Sequence, residues 1–166
     1  MSDNNIKKEL IRLSTGELAA SLVFVFALSL LQERLNLTLD IVILYPFSLL
    51  IFILLQGSYY WLYCIKILEK KPVNQVSFRK AYKVLRTINL IIILLYPLMM
   101  LYQYFFGNLI ALSGKTFMSL FLYIFSIIEY INYFYIRLSY NKLKDILMLL
   151  RLKNLKKSSL YKELHK

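Results

Sequence analysis

The sequence predicts an all-α integral membrane protein: a four-transmembrane-helix bundle, N-in/C-in, with a C-terminal basic amphipathic helix. Three observations predict it. The 166 residues are 59% hydrophobic and have a mean hydropathy of +0.57, whereas a soluble domain is about 45–50% apolar. Four apolar runs, 18–31, 41–65, 88–106 and 117–136, approach or reach span length; about 20 helical residues cross a hydrocarbon core roughly 30 Å thick. Of the 21 basic residues, 19 fall in alternate segments, where the positive-inside rule collects them on one face of a membrane.

The first segment, 1–14, carries Lys7, Lys8 and Arg12 and is expected in the cytoplasm. The first span, about 15–32, is short unless Gly16, Glu17 and Gln32 extend it to the two interfaces. A cleaved signal peptide is the competing reading of a basic start followed by an apolar run. The only small-x-small candidate, Ala27-Leu28-Ser29, lies inside the run, so a retained helix is expected. Gly16 and Ala20 have the small-xxx-small spacing of closely packed helices.

The second span, 41–65, is interrupted by Gln56-Gly57-Ser58. It leads into a connection, 66–86, with seven basic residues, among them Arg79, Lys80 and Lys83. The third span, about 87–106, carries Asn89, Tyr96 and Gln103 every seven residues, a polar stripe on one face. Pro97 should loosen that helix. The fourth span, about 117–138, completes a transmembrane domain of residues 15–138. The two outer connections hold one basic residue each, Arg34 and Lys115. Non-alternating runs such as 91–95 argue against barrel strands.

The C-terminal segment, 139–166, places Leu143, Ile146, Leu147, Leu150 and Asn154 on one helical stripe, flanked by Lys142, Lys144, Asp145, Arg151 and Lys153. That pattern fits a helix lying on the inner leaflet, a continuation of the fourth span or a docking face for a partner. The last 14 residues are basic and Ser-containing and are expected to be loosely ordered. Tyrosines near the span ends, including Tyr60, Tyr63, Tyr102, Tyr104 and Tyr133, read as an aromatic belt; Tyr59 and Tyr130 fit it less well.

The residues that bear on function are polar and lie within spans. Glu129 stands seven residues before Ile136, about 10 Å inside the boundary. A carboxylate there must be paired, hydrated or protonated, and a functional role is the default reading. Ser126, Glu129, Asn132 and Tyr133 share a helical face. Because the spans alternate in direction, Glu17, Gln56, Asn89, Ser126, Glu129 and Asn132 are expected to form one intramembrane polar cluster, open towards the cytoplasm. The competing reading is glue, since polar side chains hold helices together at about 0.6 kcal/mol per hydrogen bond.

Several function classes drop out. One Cys and one His exclude, within one chain, a disulfide scaffold, a Cys/His zinc site and bis-His haem. No catalytic Ser/His/Asp set or phosphate loop occurs, so no catalytic site, metal or cofactor is expected. Cys64 reads as packing. The +12 charge is a topology signal, and no nucleic acid is expected as partner, because no RNP-like string or zinc spacing accompanies it. The expected partners are the bilayer, anionic lipid head groups and another membrane protein or a second copy. Lys142, Lys144, Arg151, Lys153, Arg79, Lys80 and Lys83 are the candidate docking residues. The expected function is that of an accessory, immunity-type or regulatory subunit of a bacterial cell membrane. A homo-oligomeric transporter or channel using Glu129, or a membrane-perturbing effector, are the alternatives.

Overall fold

The computed structural model describes residues 3–35, 40–106, 113–136 and 157–165. Among these residues there are five helices: α1 (Asp3–Leu35), α2 (Ile41–Leu68), α3 (Gln75–Phe106), α4 (Gly114–Phe134) and a short α5 (Ser159–Leu164). The first four are long and apolar enough to cross a membrane. Residues 139–156, with the Leu143–Leu150 stripe and with Lys142, Lys144, Arg151 and Lys153, lie outside the described residues.

Helices α1 and α3 outrun the bilayer. At 33 and 32 residues they are about 50 Å long. The basic segment 1–14 is helical from Asp3, and residues 75–86 of the expected connection are helical as well. Neither stretch contains Pro or Gly. Asn74 starts α3 by accepting the Ser77 amide at 2.9 Å. At the end of α2, Lys70 adopts a left-handed conformation (φ 53°). The Lys70 and Lys71 amides return to the Ile67 and Lys66 carbonyls, the two bonds of a Schellman closure.

Helix α2 is the hub. It packs along α1 on one side and α4 on another, while α3 is peripheral. Outward faces carry large apolar groups, for example Leu22 at 69%, Leu94 at 62% and Phe121 at 62% exposed. In water such faces would be untenable; in lipid they are the expected exterior. Phe24 of α1 meets Phe125 of α4 with ring centroids 5.5 Å apart, which brings these two helices together beside Leu50 and Leu54 of α2.

The two prolines fix how the helices meet. Pro46 of α2 has no N–H for the Val42 carbonyl four residues earlier. That carbonyl accepts instead from Ser119 Oγ of α4 at 2.5 Å. Pro97 of α3 likewise releases the Ile93 carbonyl, which accepts from Tyr123 of α4 at 2.9 Å. Ser119 and Tyr123 are one turn apart, so a single strip of α4 closes both gaps.

Helix α4 ends at Phe134, short of the expected 138. The chain then pairs Ile136 with Lys157, and the Ser158 amide bonds to the Tyr135 carbonyl at 3.0 Å. Ser158 Oγ donates to Tyr133 O at 2.6 Å and accepts from the Tyr161 amide at 2.9 Å, capping α5. Leu160 and Leu164, one turn apart, are buried against the bundle. Within the segment expected to be loose, residues 158–165 thus form a docked helical plug.

Candidate functional site: the polar interior of the bundle

The polar residues of the spans separate into layers. At the end away from the chain termini, Tyr45, Tyr96 and Tyr123 stack between α2, α3 and α4, with centroids 5.7 and 4.3 Å apart. Tyr96 bonds Ser119, and Tyr45 donates to Ile92 O at 2.8 Å. One layer on, the single hydroxyl proton of fully buried Ser126 is shared between Leu122 O at 2.8 Å and Pro46 O at 3.2 Å.

The next layer joins α2 to α3. Asn89 Nδ2 donates to Gln56 Oε1 at 2.8 Å, and Gln56 Nε2 returns a bond to Asn89 Oδ1 at 3.2 Å. Both residues are buried. Tyr82 donates to the Gln56 carbonyl at 2.7 Å. This amide pair is closed on itself, the arrangement expected of interhelical glue.

Among the described residues, the layer nearest the termini brings two carboxylates of the spans together. Glu17 of α1 and Glu129 of α4 are half-buried and within electrostatic reach of each other. Glu17 and Tyr133 line the same cavity, and the buried Tyr133 hydroxyl has no hydrogen-bond partner among the described residues. Asn132 Nδ2 donates to Glu129 Oε2 at 3.2 Å. Glu17, Asn132, Tyr133, Trp61 and Ser158 line a cavity of about 80 Å³, large enough for water. Trp61 Nε1 is buried with no hydrogen-bond partner among the described residues. Gly57 makes the layer possible, because a methyl group at that position would overlap the Tyr133 ring. Beside it Ser58 Oγ donates to the Ser14 carbonyl at 3.1 Å, joining α1 to α2.

The expected single cluster therefore resolves into three. Glu17, Glu129 and Asn132 come together; Gln56 and Asn89 form their own pair; Ser126 braces Pro46. In the stripe of α3, Asn89 and Tyr96 are buried while Gln103 is half-exposed. The belt reading fails for Tyr60, Tyr63 and Tyr133, which are 4–6% exposed, because their rings fill the core beside α5; of the two that fitted the belt less well, Tyr130 is buried with them and Tyr59 is exposed. Tyr102 and Tyr104, at 62% and 54%, face outward as a belt requires. Among the docking residues Lys80 and Lys83 are exposed, but Arg79 is engaged with Glu163 of α5 at 3.2 Å.

Sequence reasoning missed Ser119, Tyr123, Ser14 and Tyr82. A signal existed for the first: Ser119, Ser126 and Tyr133 repeat every seven residues, marking the face of α4 that meets α2. Among the described residues, no three His, Cys, Asp or Glu side chains are grouped to hold a metal ion.

Fold and interior together define a helical protein with four helices apolar enough to make it multi-pass in a membrane. Comparison with protein-family models, curated proteins and solved structures finds no match for this chain.

Proposed function

We propose that the chain is a non-enzymatic cell-membrane subunit with both termini in the cytoplasm, acting by helix association as an accessory, immunity-type or regulatory component. The observation that supports it best is how the deep polar groups are used. Gln56, Asn89, Tyr96, Ser119 and Ser126 bond to one another or to backbone carbonyls of α2, and they hold α2, α3 and α4 together. What is left to interact is the exterior. Helix α3 is its best part: Leu94, Leu98, Leu101 and Phe105 run along its outer face, 54–70% exposed, and the rest of the bundle holds it along one side only.

Photo-crosslinking from position 98 in living cells tests this. The expected product is an adduct with one membrane protein, or with a second copy of this chain. Adducts with lipid alone would contradict the proposal.

A second reading rests on the carboxylate layer. Glu17 beside a cavity, with Glu129 in electrostatic reach of it, suits proton or cation binding. It requires flux in proteoliposomes that Glu129→Gln abolishes while the melting temperature is kept. The effector alternative rests on the stripe at 143–154, which lies outside the described residues.

A further inference from the structure

Between the end of α2 and the start of α3 runs a cleft of about 630 Å³. Its walls are graded along the helix axes. On α2, exposed Lys66 stands at the mouth and Leu62 one turn deeper; on α3, Ser77, Ala81 and Leu85 pass from polar to apolar over two turns. Two turns are about 11–12 Å, enough to pass through a head-group layer of roughly 5–7 Å and reach the first acyl carbons. Ala81 provides the room, and the Tyr63–Phe78 stack, with centroids 3.5 Å apart, forms the back wall.

The mouth is positive. Lys66 and Lys71 line it, and Lys7 reaches its rim. Its one lining acid, Glu69, is held by Lys7 at 2.6 Å and Lys71 at 2.7 Å, so cations outnumber it. Asn74 and Ser77 bring the first turn of α3 to the same mouth, the positive end of a 32-residue helix. The Tyr63 hydroxyl, on a side chain 6% exposed, has no hydrogen-bond partner among the described residues.

From this gradient we infer that the α2–α3 cleft is a binding site for one anionic glycerophospholipid of the surrounding leaflet, its phosphate between Lys66 and Lys71 and an acyl chain against Leu62, Ala81 and Leu85. A soluble phosphate would leave the apolar wall unused. A choline head group would set its ammonium against the lysines. The inference rests on the membrane placement proposed above but not on any protein partner, so a purified chain tests it alone.

The experiment is native mass spectrometry of the full chain in mild detergent, titrated with phosphatidylglycerol or phosphatidylcholine. The first phosphatidylglycerol should bind about tenfold or more tightly than phosphatidylcholine. Lys66→Gln should weaken it about fivefold and Lys66→Gln/Lys71→Gln about 25-fold, with Lys66→Arg restoring the first loss. Ala81→Phe should block binding with the lysines intact. Circular dichroism and melting temperature identify variants that fold, and the Lys66→Gln and Lys66→Arg pair decides if Ala81→Phe does not. Equal binding of the two lipids, displacement by inorganic phosphate, an unaffected double variant, or an equal loss in Lys80→Gln/Lys83→Gln would each overturn the inference.

Discussion

Ser119 shows how much one hydroxyl can carry at the residue scale. It bonds Tyr96 and closes the gap that Pro46 opens at Val42 O. Removing it strands a buried carbonyl, whereas removing both it and the proline lets Val42 bond within its own helix. Ser119→Ala should therefore destabilise by about 1 kcal/mol, and less so in a Pro46→Ala background. Thermal melts of the four chains in detergent check this; additive effects would show that the hydroxyl does not serve the proline. This pairing was only half legible in the sequence. Pro46 and Pro97 announce freed carbonyls, but which neighbour answers them depends on how each helix is rotated about its axis, and residue types alone do not fix that. Glu129 illustrates the same limit. Its depth and its grouping with Glu17, Asn132 and Tyr133 were legible; that Gln56 and Asn89 pair elsewhere and Ser126 turns to Pro46 was not, because that depends on how each helix is rotated.

At the scale of elements, the ends of helices were harder to read than their middles. The four apolar runs were plain because length and hydropathy set them. The helical start of α3 was hidden because a run of basic residues reads as a connection, although Asn74 and the absence of Pro or Gly signal a helix. Helix α5 was hidden in the same way; Ser158 followed by Leu160 and Leu164 was its signature.

Electrostatics then ties these ends together. Lys7 fastens α1 to Glu69 beyond α2, and Arg79 fastens α3 to α5. Hydrogen bonds from Lys7 and Lys71 hold the Glu69 carboxyl down at about 2, against an ordinary value near 4.5. A depressed carboxylate stabilises fully above its unfolded pKa and loses that contribution as pH falls through the folded one. At pH 7 the parent should melt above Glu69→Gln, and the gap should close between about pH 4.5 and 2. A gap that persists unchanged at pH 2 would contradict the tether.

For the whole molecule, charge and grease divide the work. Apolar exteriors on α1 and α3 demand lipid, and buried polar layers replace the hydrophobic effect that lipid cannot supply. Lys7, Glu69, Arg79 and Glu163 gather at one end, and the Lys115–Asp40 pair, at 2.9 Å, marks the opposite one. The most direct test is labelling of single cysteines, in a Cys64→Ser background, with a membrane-impermeant maleimide applied to intact cells. Ser113→Cys and Asp40→Cys should label from outside, and Lys8→Cys, Lys70→Cys and Lys162→Cys only after the membrane is opened. Labelling of Lys8→Cys or Lys162→Cys in unopened cells would contradict the four-span, termini-inside arrangement.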